Sequence, residues 1–416
     1  MKLIVIGAGP GGIMAAITAR LAGVEVVVLE KMKQIGKKML ITGKGRCNIT
    51  NITGVEEMLK NIPANSKFLY SALTSFDSTA LREFFESEGL ALKVERGGRV
   101  FPVSDKALDV VETLLTKMLQ LGIEIRYQAR VKELLADGER IAGVVLEGGE
   151  KITADCVLVA TGGMSYPGTG SSGDGYQLAE KLGHKIVPIK PALVPLNTAE
   201  DWVQAVQGLA LKNIEARLIV DGKKGKAFFG EMLFTHFGVS GPVILTLSRE
   251  AVEGVKQHKH LELAIDLKPA LTKEQLDKRI LRDFAEFKTK QIKNVLPKLL
   301  PVKLIPIILD NAIIADDKPI SEITKAERLR LVGAIKELIL TIKGPRPMTE
   351  AIVTAGGIST KEINPKTMES KLVKGLYFAG EVVDVDAYTG GFNLQIAFSM
   401  GHSVGVAVGK LQASDN

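Results

Sequence analysis

Residues 1–16, Met-Lys-Leu-Ile-Val-Ile-Gly-Ala-Gly-Pro-Gly-Gly-Ile-Met-Ala-Ala, confine this chain to very few folds. The apolar run 3–6 predicts a buried parallel strand, which leads into Gly7, Gly9 and Gly12 at GxGxxG spacing before a small-residue helix. Each glycine has its own task. The first permits a tight turn, the second lets backbone approach a pyrophosphate, and the third lets helix lie on strand, where Ala15, Ala16 and Ala19 continue the close contact. Phosphates belong at the helix N-terminus, where free N–H groups and the helix dipole favour an anion. After the helix, residues 24–29 (VEVVVL) predict a second buried strand ending in Glu30, placed to accept both hydroxyls of an adenosine ribose. An acid there disfavours a 2′-phosphate, so the ligand of this fingerprint is FAD or NAD.

Composition narrows the chemistry. With 416 residues, 46% of them hydrophobic, the chain can fill two or three domains. Glycines at 7, 9, 11 and 12 interrupt any secretory apolar segment, and no run of about eighteen apolar residues predicts a membrane span, so a cytoplasmic location is expected. Cys47 and Cys156 are the only cysteines, far apart and without a CxxC, which excludes a disulfide framework and dithiol redox chemistry. Redox work must fall to a cofactor. The net charge of +7 is dispersed, and Lys223-Lys224-Gly225-Lys226 predicts a charged hairpin turn. A solvated surface is preferred over a nucleic-acid partner, and no oligomeric state is specified.

Between 31 and 51 there is little apolar periodicity; Gly43, Gly45, Arg46, Asn48 and Asn51 suit a loop wrapping a polar ligand, with Arg46 able to pair with a phosphate. Residues 78–88 predict a helix, 92–95 and 99–101 short strands, and 104–121 a helix with Leu108, Val111, Leu115, Met118 and Leu119 on its apolar side. A strand-rich segment follows at 123–154, with hairpin signals at Asp137-Gly138 and Gly148-Gly149, and the main sheet resumes at 155–160. Gly168, Gly170 and Gly173 also match GxGxxG. They lie several residues past the strand, and Pro188 stands where an acid is needed, so a loop on the same cofactor is preferred to a second dinucleotide site.

From about residue 191 the character changes. Strands at 214–220, 227–234 and 261–267 predict a small β-rich module; capping boxes at Thr272/Gln275 and Thr324/Glu327 then open helices with apolar stripes Leu276, Ile280, Phe284, Phe287 and Leu329, Val332, Ile335, Leu338, Ile339. Pro297, Pro301 and Pro306 exclude one straight helix between them. The expected organisation is a dinucleotide-binding domain at 1–190 and 346–416, interrupted by an inserted domain at 191–345 that is β-rich to about 268 and helical from 269. His258, His260 and Glu262 alternate as metal ligands could, but an exposed hairpin flank explains them equally, and no metal is assigned.

The C-terminal stretch returns to the nucleotide fold. Residues 376–381, Leu-Tyr-Phe-Ala-Gly-Glu, predict an apolar strand ending in Gly380-Glu381; Gly390 and Gly391 permit a sharp turn, and Asn393 can cap the helix that follows. In two-dinucleotide flavin folds such an acid reaches the ribityl chain, and the helix N-terminus faces the flavin pyrimidine, where oriented N–H groups stabilise the charge of the reduced ring. Together the two ends of the chain favour FAD over NAD as the resident cofactor.

The stretches 7–12, 42–51 (TGKGRCNITN), 98–102 (GRVFP), 160–163 (ATGG), 230–242 (GEMLFTHFGVSGP) and 380–395 (GEVVDVDAYTGGFNLQ) resemble the BaiN-like bacterial flavoproteins, often labelled NAD(P)/FAD-dependent or aminoacetone-oxidase-family proteins. The resemblance spans nearly the whole chain; Ala387 stands where that family usually has Gly, and Phe392 where Tyr is common. It implies an α/β, Rossmann-like, glutathione-reductase-type FAD domain with an inserted β-barrel plus helical domain. It places non-covalent FAD against Gly7, Gly9, Pro10, Gly11, Gly12, Glu30, Lys31, Gly45, Arg46, Cys47, Asn48, Thr161, Gly162, Gly380, Glu381, Gly391, Phe392, Asn393, Leu394 and Gln395; beside these, Val131 is our own expectation for a backbone contact to adenine. Arg99, His236 and Tyr388, inside the shared stretches, are assigned to a small-molecule substrate; no catalytic acid or base is identified. The expected activity is an FAD oxidoreductase using NADH or NADPH as a transient hydride donor, with an organic acceptor that includes conjugated C=C bonds. A flavin oxidase using O2 and an RNA-associated flavoprotein are the alternatives.

Overall fold

The computed structural model describes residues 1–415. Two compact units divide the chain: one contains Met1–Pro191 together with the chain from Met348 onward, the other Ala192–Pro347.

The first unit is built on strands β1 (Lys2–Ile6), β2 (Glu25–Glu30), β3 (Glu124–Tyr127), β4 (Cys156–Val159) and β5 (Leu376–Phe378), and on helices α1 (Pro10–Leu21), α2 (Asp174–Lys181) and α3 (Phe392–Asp415). The strands form one sheet in the order β5-β4-β1-β2-β3, and every pairing is parallel. Such strands are covered on both faces, which is why they read as unbroken apolar runs: Leu3, Ile4, Val5, Val28, Val157 and Leu158 are all wholly buried. The expected hairpins at Asp137-Gly138 and Gly148-Gly149 join an antiparallel meander of Val131–Asp137, Arg140–Leu146 and Lys151–Thr153. A second small sheet pairs Arg99–Pro102 with Thr50–Asn51 and Leu92–Glu95.

The sheet brings the first and last segments of the unit together. Helix α3 lies along α1, and Gly401, Gly405 and Gly409 recur at the four-residue spacing that marks one helix face. A Cβ on Gly401 would stand 2.1 Å from the Gly11 carbonyl, one on Gly405 2.4 Å from Thr18 Cβ, and one on Gly409 2.5 Å from Ala22 Cβ.

The second unit closes six strands into an antiparallel barrel. Ala210–Val220 is followed around the barrel by Phe228–Phe234, Gly238–Ser240, Leu196–Thr198, Leu338–Pro345 and Leu261–Asp266, which pairs back onto the first strand. Closure gives each of these six strands two neighbours, and Lys223–Lys224 adds a short hairpin strand at the end of Ala210–Val220. Both capping boxes form, at Thr272 with Gln275 and at Thr324 with Glu327. Two sequence expectations change here. Leu338 and Ile339 do not extend the second helical stripe, because that helix ends at Lys336 and the next residues close the barrel; Leu329 of the same stripe is exposed. The β-rich part also contains a helix, Pro242–Lys256, which buries Val243, Ile244, Leu247 and Ala251 against the barrel. In the first unit the helix Ala107–Gln120 buries Val110, Val111, Leu114 and Met118, leaving Leu108 and Leu119 exposed. Among the described residues no helix is long and apolar enough to cross a membrane.

Candidate functional site

Helix α1 begins where β1 ends, and the three fingerprint glycines behave differently. Gly7 has φ +101°, and a Cβ there would stand 2.6 Å from the Ala160 carbonyl of the neighbouring strand end. A Cβ on Gly12 would stand 2.0 Å from the Gly7 carbonyl. Gly9 has ordinary extended backbone, and a Cβ there would meet nothing within 4 Å. Two of the glycines are thus required by the fold; the third faces open space at a helix N-terminus, as a pyrophosphate needs. Gly45, at φ +83°, also borders open space.

Glu30 is buried at the end of β2. One carboxylate oxygen accepts from the Ala8 amide at 2.8 Å and the other from the Met32 amide at 2.8 Å, which aims it across the fingerprint turn. The segment carrying Val131 runs beside it, since the Ala129 amide donates to the Glu30 carbonyl at 3.0 Å. Lys31 pairs with Asp174 at 2.9 Å and contacts the Ser172 hydroxyl, and Arg130 reaches the same aspartate at 3.2 Å. Burial would raise the Asp174 carboxyl, but Arg130 and Lys31 outweigh it and hold it below the usual carboxylate range. The glycine-rich loop at 163–174, whose Gly170 and Gly173 adopt positive φ, is therefore anchored to the segment after β2.

Asn48 carries a buried side-chain oxygen with no hydrogen-bond partner, as does Thr161. An orphaned buried acceptor costs on the order of 1–3 kcal/mol, and an N–H donor of a bound ring would remove the cost at Asn48. Cys47 beside it is wholly buried with φ +59°, and burial pushes its thiol up to about 12, so it is neither a thiolate nor a nucleophile near neutral pH.

Two expected cofactor contacts are narrowed by the tertiary structure. The Arg46 guanidinium is engaged by Glu95 at 2.7 Å and Asp105 at 3.2 Å and lies over the Phe101 ring, so its charge is already met within the protein. The Gln395 amide is fully internal, bonded to the Thr50 hydroxyl, the Phe76 carbonyl and Ser399. A third expectation is corrected. Asn393 does not cap α3, which already begins at Phe392; its amide instead grips Ala387 through both N–H and C=O, at 2.9 and 2.8 Å. That clamp fixes the turn before α3, where a Cβ on Gly391 would stand 2.4 Å from the Thr50 carbonyl. The amides of the first turn of α3, at Phe392, Asn393 and Leu394, lack intrahelical acceptors by geometry and suit an electron-rich ring edge.

Gly380 has φ +78° and turns the chain from β5 into Glu381, which is paired with Lys38 at 2.6 Å. Sequence reasoning missed Lys38, Ser165 and Thr354, which meet at this carboxylate. Lys38 sits in an aperiodic loop between Lys37 and Met39, with no local signal to separate it from its neighbours. Of the expected substrate residues, Arg99 pairs in register with Asn51, whose side chain donates to the Gly390 carbonyl, two residues beyond Tyr388. His236 belongs to the other unit, exposed on a turn closed by the Thr235 amide and Gly238 carbonyl, with its ring edge-on to Phe237. Among the described residues no group of His, Cys, Asp and Glu is arranged to hold a metal; His258 has φ +56°, which breaks the strand alternation with His260 and Glu262.

The family model described as the HI0933-like protein Rossmann domain matches residues 1–407. The chain belongs to that family. It is a flavin-dependent oxidoreductase family, and the cradle at Gly9, the buried acid at Glu30 and the orphaned Asn48 acceptor fit FAD. The chain is 34% identical over 406 residues to the 3-dehydro-bile acid delta(4,6)-reductase of Clostridium scindens, covering 97% of this chain and 98% of that one. It is 31% identical to the ribosomal RNA dihydrouridine synthase of Haemophilus influenzae, covering 98% of each. Among solved structures, the 3-ketosteroid-delta4-(5alpha)-dehydrogenase of Rhodococcus jostii shares the fold, with a TM-score of 0.54 at 14% identity over 98% of this chain and 97% of that one.

Proposed function

We propose that this protein is an FAD-dependent reductase that uses NADH or NADPH to saturate a carbon–carbon double bond conjugated to a carbonyl. FAD, when bound, supplies the two-electron relay between donor and acceptor. In the overall balance the donor loses a hydride, the β-carbon of the acceptor gains it, and the α-carbon takes a proton from solvent or a side chain. The single observation that carries the cofactor half is the open space before Gly9, flanked by Glu30 on the neighbouring strand. The name of the Clostridium relative, a delta(4,6)-reductase, supports the acceptor half.

In this reading the chain's own groups divide the work. Amides at the start of α1 hold the pyrophosphate, and Glu30 accepts from the adenosine ribose. Val131 meets the adenine through backbone, while the 45–48 loop and the first turn of α3 hold the ring. Arg99 and Tyr388, both in the first unit, are the candidates for contact with the acceptor.

A second acceptor has a specific observation in its favour. Uracil also carries a double bond conjugated to a carbonyl, two dihydrouridine synthases are relatives, and the chain bears a net charge of +7. The deciding experiment is an anaerobic visible spectrum of the purified protein before and after NADH or NADPH, followed by an enone or ribosomal RNA. Bleaching by the donor and recovery of the band with an enone is the expected result. Recovery with RNA alone moves the acceptor to uridine, and a band that bleaches only with an organic donor and recovers rapidly in air makes the protein an oxidase. Absence of flavin after reconstitution overturns the reading.

A further inference from the structure

Three segments far apart in the chain converge on one carboxylate. Glu381 Oε2 lies 2.6 Å from Lys38 Nζ, while Oε1 accepts from the Thr354 amide at 2.8 Å and lies 2.9 Å from Ser165 Oγ. Lys38 Nζ also reaches Ser165 Oγ at 2.6 Å, and Thr354 Oγ1 accepts from the amides of Met164 and Ser165. Gly163 makes room for this arrangement, because a Cβ there would stand 2.3 Å from Thr354 Oγ1 and 2.8 Å from Glu381 Oε1. The pair is only partly buried, with side chains 22% and 20% exposed, and a partly buried ion pair offsets much of its Coulomb attraction with the cost of desolvation. Stability alone therefore gives little reason to keep it. The two oxygens also differ: Oε1 has two partners, whereas Lys38 is the one donor to Oε2 among the described residues, which leaves an acceptor position open on that oxygen.

We propose that Lys38 is a positioning residue of the cofactor site, whose ammonium holds Glu381 ionised and aimed so that Oε2 accepts a hydroxyl of the FAD ribityl chain. The proposal rests on the FAD reading above and assigns a role to a residue outside the glycine fingerprint. Burial on its own would raise the Glu381 carboxyl; Lys38, with the Thr354 amide and Ser165 hydroxyl, outweighs it and keeps the group below the usual carboxylate range. Tyr176 also borders this residue, its hydroxyl 3.5 Å from the Glu381 carbonyl, and burial pushes that phenol up, so it stays neutral. Without the ammonium, burial prevails and the carboxyl takes up a proton as pH falls, leaving a weaker acceptor for the ribityl hydroxyl.

The test follows FAD retention by the full-length holoprotein during dialysis, and the FAD dissociation constant by fluorescence, from about pH 6 to 9. The parent, Lys38→Met, Glu381→Gln and the double variant are compared. The parent is expected to hold FAD equally across the range. Lys38→Met should bind about tenfold or more weakly at the acid end than at the alkaline end, Glu381→Gln should be weakened evenly, and the double variant should be no weaker than Glu381→Gln. A flat profile for Lys38→Met overturns the proposal; so does a double variant that falls below Glu381→Gln by the full factor that Lys38→Met costs alone. Should Lys38→Met fail to fold, the double variant, which lacks the uncompensated buried charge, carries the comparison with Glu381→Gln. A parent that neither retains nor binds FAD overturns the cofactor reading itself and this proposal with it.

Discussion

Gly9 and Gly12 sit three residues apart in one motif, yet substitution should separate them cleanly. Gly9→Val puts its side chain into open space on an extended backbone, so the fold should hold to within about 0.5 kcal/mol. The same side chain occupies the pyrophosphate position, so FAD content after purification should fall at least about tenfold. Gly12→Ala forces a methyl against the Gly7 carbonyl and should cost about 1–3 kcal/mol or more in thermal or denaturant melts, with flavin loss following from the damaged fold. Cys47 gives a further contrast at this scale. With its thiol pushed up to about 12 by burial, it should resist alkylation at neutral pH in the native protein and react promptly once unfolded, as mass spectrometry would register. Residue identity was readable from the motif. Side-chain direction was not: Arg46 is spent on Glu95 and Asp105, and Gln395 on Thr50, Phe76 and Ser399, partners whose proximity no local pattern encodes.

At the scale of elements, the contact of α1 with α3 supports the whole cofactor end of the first unit. Gly405→Val should destabilise the protein by about 3 kcal/mol or more, because the Cβ meets Thr18 and the Ala15 carbonyl rather than a flexible side-chain end; a lowered melting temperature with unchanged helical signature below it would register this. His402, on the same helix, stacks on Phe76 at 4.4 Å, and burial holds its pKa below the ordinary histidine value. Its neutral form is the one the fold accommodates, so its contribution is complete above the unfolded pKa of about 6.5 and is lost as pH falls through the lower folded value. His402→Phe should therefore shrink the drop in melting temperature between about pH 7.5 and 5.5, while His184, which burial also shifts down, contributes in the same direction. Periodicity predicted most helices and strands, and the two capping boxes formed as read. It failed at Leu338 and Ile339, where an apolar run suits a helical stripe and a barrel strand equally, and barrel closure decides between them.

For the whole molecule, the net charge of +7 separates the two acceptor readings. Enone reduction by NADH or NADPH should proceed without RNA, survive nuclease treatment and change little with salt. Retention of ribosomal RNA on purification, falling steeply as salt rises, would be the signature of phosphate contacts and of a uridine acceptor. Charge of this kind speaks of partners and encounter rates and leaves the fold undetermined.

What the sequence determined by itself was the dinucleotide fold, the glycine turn, the terminal acid Glu30 and the return of the chain at Gly380-Glu381, because these depend on local backbone freedom and apolar runs that a linear reading exposes. The tertiary structure alone decided which side chains remain free at the site and which carboxylate is charged. The Lys38–Glu381 pair spans 343 positions, and its two ends meet only because the late strand joins the outer edge of β4 in the same sheet as the first strand. Electrostatic state follows from such distances in space, and those are set by the packed fold as a whole.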